Sequence, residues 1–431
     1  MKSLLGSEHV LLQRPSTRGD RTFVAPPRAS RSSLKVQIFE LFAGWHHTKY
    51  IASLMPTLIQ LRREGHVTEI VLTTTASHVA SPFFEDLLAE FTTDITLDLI
   101  QANHESIQGS RVTGYLIESV QRVKPDYLIS TSANNGAFML AMRSLMRNPL
   151  NWSGEMTSIG ILHNGFAETP QGFVATIQDS IQRFSRHFSP WTELHVVNPM
   201  LYDVITARRK GTQQALRLLP DPVEAFPQIS RFEARERLSI PTSGRYLGQI
   251  GKSDSRKAIP ELLAAFRAAN LPNDHRLLLA GDVYSPYRTH IQAHFQDLVN
   301  EGRIIILDRY LKKEEFHTAY CALDVISIAY YTNDLSGNLL AAIGAQRPVI
   351  TGCNGYTGFV VKESLAGWTV DVRDIESFSK TIAQAMSASN SFFPSENSAK
   401  LMAFHDPKHF ADTLLRKLYE RLNLSTTHAW T

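Results

Sequence analysis

The segment spanning residues 323–372 decides the fold, and it reads LDVISIAYYTNDLSGNLLAAIGAQRPVITGCNGYTGFVVKESLAGWTVDV. Its first part, residues 323–329, is rich in β-branched and apolar residues, as is typical of a buried parallel strand. A polar loop then ends in Ser336-Gly337-Asn338, and helical composition follows until Arg347-Pro348. A second strand, a turn crowded with glycines, a second helix and a third strand complete the segment. Alternation of this kind predicts an α/β domain with a parallel sheet.

A Ser-Gly step that opens a helix beyond a buried strand is a candidate anion site. Free backbone N–H groups and the positive end of the helix dipole both face such a position. An ordinary strand-to-helix turn has the same composition, so both interpretations of Ser336-Gly337 stay open at this point. The same holds for Asp334 in the preceding loop, which is either an acceptor for a ligand hydroxyl or a helix cap.

Length and composition bound the remaining possibilities. At 431 residues the chain is longer than one ordinary domain, and its 43% hydrophobic and 20% charged residues are typical of a globular protein. A net charge of +3 gives no indication of nucleic-acid binding. Cys321 and Cys353 are too few for a disulfide framework and lack zinc-site spacing, so we expect a reducing, cytoplasmic setting. We expect neither a membrane span nor a secretory signal, because no stretch is apolar enough.

The N-terminal segment differs in charge from the rest of the chain. Residues 1–35 contain seven basic and two acidic residues, so their net charge is +5. We expect residues 1–33 to form a disordered basic lead, because they are rich in Ser, Arg and Pro and show little periodicity. An arginine-rich, acid-poor start is also typical of organelle transit peptides, and its charge would allow peripheral contact with anionic lipid at the inner membrane face.

Hydrophobic periodicity divides the remainder into two series of strands. The first series comprises residues 34–42, 67–74, 95–100, 126–131, 157–162 and 193–197, separated by helical patterns that include residues 49–64 and 173–188. The second series comprises residues 246–250, 276–280, 303–307 and the strands of residues 323–372, with a helical pattern over residues 287–298. We therefore predict an α/β protein with two Rossmann-like domains, whose parallel sheets face each other across a cleft that holds the ligand. We predict an N-terminal domain over residues 34–217, a linker over residues 218–242 and a C-terminal domain over residues 243–403. Residues 404–431 are predicted to contain a helix that crosses back to the first domain.

A glycine-rich and basic segment, GQIGKSDSRK, follows the first strand of the second series and opens a helix. Gly248 would allow a ligand to approach the backbone, and Lys252, Arg256 and Lys257 would supply charge and donors to a diphosphate. The spacing is not that of a Walker A loop. A solvated basic loop is the alternative interpretation.

Three histidines lie where predicted strands of the first domain end. His46 and His47 follow Gly44 just beyond the first strand, and His163 follows residues 157–162. A histidine at such a position could act as a general base or donate to a phosphate or sugar oxygen. A structural histidine, or an exposed pair at a helix start, is the alternative. Asp221, between two prolines, is interpreted as a linker turn residue.

Taken together, these segments resemble the retaining GT-B glycosyltransferases of the family 4 type, also described as glycosyl transferases group 1. The likeness is clearest over residues 218–385, where YLGQIGKSDSRKAIPELL is similar to the family's "GR…KG…LL" segment. Lys257 falls on the lysine that holds the donor diphosphate in the family, and Gln249 falls where the family usually has arginine. The sequence LLAGD, which contains Gly281, is similar to a strand and glycine turn of the family. Asp324 falls in its "ADV" motif.

The donor-site motif departs from the family's pattern. The family carries two glutamates, of which the first usually touches the donor sugar and the second the nucleotide ribose. Asn333 and Ala341 stand at these two positions. Ser336-Gly337-Asn338 would then bind the donor through backbone amides and small side chains.

The resemblance implies an enzyme that moves a sugar from a nucleotide-diphosphate sugar to an acceptor hydroxyl with retention, in glycan, polysaccharide or glycoconjugate biosynthesis. The resemblance also implies a carbohydrate or lipid-linked acceptor. An enzyme of this kind would require no metal or other cofactor. Its predicted catalytic residues are His163, His46 and Lys257, and its predicted substrate-binding residues are Gly44, His47, Gly248, Lys252, Arg256, Gly281, Asn333, Asp334, Ser336, Gly337 and Asn338. The alternative is a catalytically degenerate GT-B protein that binds a sugar nucleotide or acts as a partner or scaffold subunit.

Overall fold

A computed structural model describes residues 33–102, 107, 110–134, 136–146, 156–162, 181, 184–207, 215–331 and 335–425. The chain divides into two compact units. The first unit comprises the described residues of Met1–Pro222 and Pro407–Thr431, and the second comprises those of Val223–Asp406. Each unit contains one sheet of parallel strands, which confirms the predicted α/β class with two Rossmann-like domains.

The sheet of the first unit has seven strands, β1 Leu34–Phe39, β2 Val67–Thr75, β3 Thr96–Ile100, β4 Tyr127–Ser130, β5 Thr157–Leu162, β6 Glu193–Val196 and β7 Ala215–Leu218. Their order is β3-β2-β1-β4-β5-β6-β7, so the direction of winding reverses between β1 and β4. In register, Val36 pairs with Ile70 of β2 on one side and with Tyr127 of β4 on the other. The central strands β4, β5 and β6 are buried throughout because helices cover the sheet, whereas the edge strands β3 and β7 are largely exposed or half-buried.

The helices of the first unit are Trp45–Arg63, Ala76–Val79, Pro82–Leu88, Ser110–Val123, Ala137–Met146, Pro199–Ala207 and Pro407–Leu422, with a 3-10 turn at Ala89–Phe91. The last of these helices packs within this unit although it is distant in sequence. The Tyr127 hydroxyl donates to the Leu414 carbonyl at 2.7 Å, and the rings of Tyr50 and Phe410 lie 5.0 Å apart. The C-terminal helix therefore completes the core of the first unit.

The sheet of the second unit has six strands, β8 Arg245–Ile250, β9 His275–Ala280, β10 Ile304–Leu307, β11 Val325–Ile328, β12 Val349–Gly352 and β13 Gly367–Val370. Their order is β10-β9-β8-β11-β12-β13, and winding reverses between β8 and β11. The helices are Arg231–Arg237, Ile259–Ala268, Ser285–His294, Gln296–Asn300, Lys313–Ala322, Gly337–Gly344, Gly355–Ser364, Ile375–Ala388 and Glu396–Phe404. Phe266 and Phe378 are fully buried where two of these helices cover the sheet.

Asp324, which directly precedes β11, forms a network of hydrogen bonds and ion pairs. Its carboxylate accepts from the Arg235 guanidinium at 2.7 Å and from the Tyr246 backbone N–H at 2.8 Å, and Arg231 lies 3.1 Å away. Arg235 also donates to the carbonyls of Thr242 and Gly244. This network fastens the helix Arg231–Arg237 to the start of β8.

Several predicted boundaries were wrong. The first helix begins at Trp45 rather than four residues later, so His46 and His47 lie in its first turn. The helix predicted over residues 287–298 breaks at Phe295, whose φ of −134° is not helical. Strand β7 and the helices Pro199–Ala207, Arg231–Arg237, Ile375–Ala388 and Glu396–Phe404 were not predicted. Most of the helix predicted over residues 173–188 lies outside the described residues.

Candidate functional site

The reversal point of the second sheet brings together two of the predicted segments. In open parallel sheets, ligands bind beyond the carboxyl ends of the strands where the winding reverses. Strand β8 ends at Ile250, and the loop after it carries Lys257. Strand β11 ends at Ile328, and Asn338 lies in the first turn of the helix Gly337–Gly344 that follows. Lys257 pairs as an isolated bridge with Tyr330. We call this group the β8–β11 site.

Three side-chain donors converge on one backbone oxygen in the β8–β11 site. The Ile250 carbonyl accepts from Asn338 Nδ2 at 2.9 Å, from Gln249 Nε2 at 3.0 Å and from Lys257 Nζ at 3.2 Å. A carbonyl oxygen has two lone pairs. Three donors therefore share this one acceptor, and two of them, Lys257 and Asn338, each have a second acceptor nearby.

Lys257 is the charged member of the site, and its side chain is only 4% exposed. Its Nζ also lies 3.2 Å from the Gly251 carbonyl oxygen and 5.7 Å from the centre of the Tyr330 ring. Burial lowers the pKa of Lys257 to about 7, although the nearby Asp254 carboxylate opposes this shift. The Asp254 carboxylate is itself bound by Arg256 at 2.8 Å. A ligand anion beside Lys257 would favour its protonated form.

Asn338 is held in place from two sides. Its Nδ2 group lies 3.2 Å from the Tyr330 hydroxyl, in addition to its bond to Ile250. Gly251, at a φ of +82°, packs so closely that an added Cβ would lie 3.3 Å from the same nitrogen. Ser336 caps the helix Gly337–Gly344 by accepting from the Leu339 N–H at 3.3 Å. The helix therefore begins at the predicted Ser-Gly step, with Asn338 in its first turn.

Two predicted glycines shape the site through packing. Gly281 has a φ of +126°, and an added Cβ would lie 2.6 Å from the backbone of Gly251. Gly248 lies within β8, where an added Cβ would lie 2.2 Å from the Leu323 side chain. Contact between either glycine and a ligand stays a prediction.

The other predicted cations of this loop lie outside the buried group. Lys252 is exposed, and Arg256 is exposed while it pairs with Asp254 of the same loop. Their contact with a diphosphate stays a prediction. Three further predicted residues, His163, Asn333 and Asp334, lie outside the described residues.

The reversal point of the first sheet holds a buried carboxylate that sequence reasoning missed. Glu40 follows β1 directly and is fully buried. It accepts from the hydroxyls of Thr131 and Ser132, both at 2.5 Å, and from the Phe42 backbone N–H at 2.8 Å. His47 Nδ1 lies 3.0 Å from the same carboxylate and 3.0 Å from Ser132 Oγ. We call this group the β1–β4 site.

Glu40 and His47 shift each other's pKa. Burial alone would raise the pKa of Glu40, but the charge of His47 and the hydrogen bonds of the site outweigh it and lower the pKa to about 2. Burial alone would lower the pKa of His47, but the Glu40 carboxylate outweighs it and raises the pKa above its usual value. The His47 side chain keeps 26% of its surface exposed, so the imidazole reaches the edge of this site.

His46 has different surroundings from His47. Its Nε2 lies 2.7 Å from the hydroxyl of Tyr50, which is fully buried. Next to it, Lys49 donates to the buried Asp221 carboxylate at 2.7 Å. Asp221 is thus a buried ion-pair partner rather than only a linker turn residue. The catalytic role of His46 and the ligand contact of Gly44 stay predictions.

The sequence carried a weak signal for the missed residues. Glu40 interrupts an otherwise apolar run directly after β1, and Thr131 and Ser132 open the polar loop after β4. Gln249 was noted only as a replacement for arginine. Tyr330 gave no signal, because a tyrosine at the end of a buried strand is ordinary.

Comparison with known proteins gives a family match for part of the sequence and a fold match for most of the chain. Residues 244–388, about a third of the chain, match the family model described as Glycosyl transferases group 1. No curated protein matches the chain in sequence. The fold is that of the GT-B glycosyltransferases, two Rossmann-like domains, and solved structures of this fold cover most of the chain.

Three solved structures illustrate the likeness. Alr3699/HepE of Anabaena, in complex with UDP, is 12% identical, with 90% of this chain and 100% of that chain covered and a TM-score of 0.63. Sucrose-phosphate synthase from Thermosynechococcus elongatus is 15% identical, with coverage of 90% and 99% and a TM-score of 0.62. WaaG, a glycosyltransferase involved in lipopolysaccharide biosynthesis, is 14% identical, with coverage of 88% and 99% and a TM-score of 0.59. At these identities the likeness shows the fold.

Proposed function

We propose that the protein is a glycosyltransferase that moves a sugar from a nucleotide-diphosphate sugar to an acceptor hydroxyl. The observation that carries the proposal is the convergence of Lys257, Asn338 and Gln249 on the Ile250 carbonyl, at the reversal point of the second sheet. This site lies inside the residues that match the glycosyltransferase family model. A cation and neutral donors grouped in a buried position of this kind suit the diphosphate of a donor substrate.

The proposed role of the β8–β11 site is to stabilise the leaving diphosphate. Negative charge grows on the diphosphate as the bond to the sugar breaks, and fixed donors in a buried site stabilise that charge strongly. Lys257 would supply the cation, and Asn338 and the backbone N–H groups beyond Ser336 would supply neutral donors. Retention of the anomeric configuration is part of the proposal because the sequence resembles the retaining family.

The proposed role of the β1–β4 site is to hold the acceptor. The Glu40 carboxylate fixes the ring of His47 through Nδ1, much as a buried acid orients a catalytic imidazole in hydrolases. His47 would then bind an oxygen of a carbohydrate or lipid-linked acceptor. Glu40 lies too deep to touch a substrate, so it would act through His47 as a positioning residue.

The proposal is tested by nucleotide-sugar turnover. Purified protein is incubated with UDP-, GDP- and ADP-sugars, beginning with UDP-glucose because HepE structures contain UDP and UDP-glucose. We expect slow hydrolysis of one donor class, a donor-induced rise in melting temperature, and loss of both in Lys257→Ala. Lys400→Ala, an exposed lysine of the same unit, is the matched control. Absence of both turnover and thermal shift with every donor contradicts the proposal.

One observation favours a second candidate, a protein that binds sugar nucleotides without transferring the sugar. Ala341 stands in the helix Gly337–Gly344 where the resembled family has a glutamate, so that carboxylate is missing. The same assay separates the two functions. A thermal shift with UDP-sugars, without turnover in the presence of carbohydrate acceptors, would favour the second candidate.

A further inference from the structure

A fully buried histidine lies close to the β1–β4 site. His78 belongs to the short helix Ala76–Val79 directly after β2, and none of its surface is exposed. Its ring Nε2 lies 2.9 Å from the Thr48 hydroxyl oxygen, and its Nδ1 lies 2.8 Å from the Thr74 hydroxyl oxygen. Both ring nitrogens therefore have a hydrogen-bond partner, and both partners are uncharged.

The hydrogen bonds indicate which ring nitrogen of His78 carries the hydrogen. The Thr48 hydroxyl donates its single hydrogen to the Gly44 carbonyl at 2.8 Å, so its oxygen can only accept from the ring. His78 Nε2 is then the donor. In a neutral imidazole the other nitrogen accepts, so the Thr74 hydroxyl donates to Nδ1. The four groups form one directed chain, from Thr74 through His78 and Thr48 to Gly44.

The surroundings of His78 favour the neutral ring. Burial lowers the pKa of His78 below its usual value of 6.5, the Glu40 carboxylate opposes this shift, and the positive charge of His47 adds to it. The pKa of His47 is shifted upward, because its contact with Glu40 outweighs burial. At pH 6.5, His47 is therefore more than half protonated while His78 is mostly neutral.

The chain of hydrogen bonds ends at the start of the helix that carries His47. Gly44 is the N-cap of the helix Trp45–Arg63, and as a glycine it has no side chain to cap the helix. Its carbonyl accepts twice from Thr48, from the backbone N–H at 3.0 Å and from the hydroxyl at 2.8 Å. His78 in turn donates to that hydroxyl. The buried ring of His78 therefore supports the first helical turn, in which His47 lies.

The other end of the preceding loop is also held by the segment after β2. The Thr75 hydroxyl donates to the Leu41 carbonyl at 3.3 Å and accepts from the His78 backbone N–H at 3.1 Å. Residues 41–44 form the loop that joins Glu40 to the helix. Both ends of this loop are therefore fixed to one buried segment, residues 74–78.

We infer that His78 is a positioning residue of the β1–β4 site, which fixes the start of the helix so that His47 meets the Glu40 carboxylate. His78 is fully buried, so it acts through Thr48 and Gly44 and not by contact with a substrate. The inference rests on the proposed function, since only that function makes the β1–β4 site an acceptor site. The position of His47 can nevertheless be measured without a substrate.

NMR of the full chain, labelled with nitrogen-15 in its histidines, tests the inference. Ring nitrogen shifts distinguish the two neutral tautomers, and we expect the His78 ring at pH 7 to carry its hydrogen on Nε2. Titration gives the pKa of His47 in the unchanged chain and in His78→Phe. This variant keeps a buried ring but loses both hydrogen bonds. We expect the pKa of His47 to fall toward its usual value of 6.5 as the contact with Glu40 loosens.

Three further variants distinguish positioning from a general loss of stability. His78→Gln has an amide that can both donate and accept, and we expect it to retain more of the raised His47 pKa than His78→Phe does. Thr48→Val removes the hydroxyl between His78 and Gly44 but keeps the branched shape, so it should lower the same pKa even if His78→Phe does not fold. Thr318→Val is the matched control, since the hydroxyl of this buried helix residue also donates to the carbonyl four residues earlier, at 2.7 Å. Thr318 lies in the second unit, so that variant should leave the pKa of His47 unchanged.

Either of two results would overturn the inference. The first is a His78 ring that carries its hydrogen on Nδ1, or on both nitrogens, in the unchanged chain at pH 7. The second is an unchanged His47 pKa in every variant of His78 and Thr48 that thermal unfolding shows to be folded. Neither result depends on a donor or an acceptor. The expected NMR results without nucleotide-sugar turnover would contradict the proposed function alone and leave the positioning by His78 intact.

Discussion

The side-chain nitrogen of Lys257 lies 3.2 Å from the carbonyl oxygen of Ile250, and that oxygen already accepts from two side-chain amides. The contact holds a buried lysine against neutral acceptors at the end of β8. A bound anion would interact with the protonated Lys257 amine more strongly than the Ile250 carbonyl does. The first two predictions follow from this arrangement.

Donor binding should weaken as pH rises above neutrality. Burial lowers the pKa of Lys257 to about 7 in the free protein, so the amine loses its proton above that pH. A bound diphosphate favours the protonated amine, so each complex formed at higher pH must take up a proton. We expect the affinity for UDP to fall by up to about tenfold per pH unit above pH 7.

Calorimetry measures this linkage directly. Titrations at one pH in buffers of different ionisation enthalpy should show net proton uptake at pH 8 and little at pH 6. Lys257→Arg, whose guanidinium stays protonated, should lose the pH dependence if it retains binding. Absence of proton uptake at pH 8 would show that Lys257 gains no proton on binding. Uptake that is unchanged in Lys257→Arg would show that another group titrates.

Asn338→Asp should oppose donor binding more strongly than Asn338→Ala. The alanine variant removes one neutral donor, which costs about 1 kcal/mol or roughly fivefold in affinity. The aspartate variant places a negative charge beside the expected diphosphate, and we expect a loss of about tenfold or more beyond that of alanine. Asn300→Asp, on an exposed helix of the same unit, is the control. Equal affinities of Asn338→Ala and Asn338→Asp would place the diphosphate elsewhere.

Glu40→Gln should act on the acceptor and not on the donor. The substitution removes the buried charge that raises the pKa of His47, so that pKa should fall, measured by NMR titration of the imidazole. Four donors face this carboxylate, and we expect a loss of unfolding free energy of about 1–3 kcal/mol. The KM for the acceptor should rise while donor affinity stays unchanged. Glu69→Gln, which alters a carboxylate paired with Lys35, is the control. A KM that does not move would leave Glu40 a purely structural residue.

Gly281→Ala should destabilise the second unit. The added Cβ would meet the backbone of Gly251 at 2.6 Å, at a φ of +126° that other residues rarely adopt. We expect a loss of about 2–4 kcal/mol in urea unfolding. Gly114→Ala is the matched comparison, because Gly114 lies in a helix with nothing within 4 Å of an added Cβ. That variant should gain up to about 1 kcal/mol. A neutral Gly281→Ala would mean that the β8 and β9 loops can separate freely.

The sequence predicted the fold better than the sites. Strand β5 was predicted with the bounds that the structure shows, because a buried parallel strand is a plain apolar run between polar loops. The helix Arg231–Arg237 was missed because it is short and charged, and it is stabilised by the partnership of Arg235 with Asp324, 89 residues later. A contact between residues so far apart in sequence cannot be inferred from local composition.

The sites were predicted where one segment supplies the chemistry. The Ser336 cap and Asn338 lie on the stretch that starts a helix, so their pattern was visible. Glu40 and Ser132 are 92 residues apart and meet only because β1 and β4 are neighbours in the sheet. Hydrophobic periodicity does not indicate the order of strands in a sheet, so the contact between Glu40 and Ser132 could not be predicted. Gln249 was visible as a departure from a motif, but its bond to Ile250 was not.

Binding of a nucleotide-sugar diphosphate by the β8–β11 site is best measured by a calorimetric titration. UDP-glucose, GDP-mannose and ADP-glucose are titrated at pH 6.5 into the full chain, Lys257→Ala and Lys400→Ala. We expect one binding site for at least one donor, an affinity about 100-fold lower in Lys257→Ala, and no change in Lys400→Ala. Binding that is undiminished in a folded Lys257→Ala variant, or absent for all three donors in the unchanged chain, would contradict this expectation.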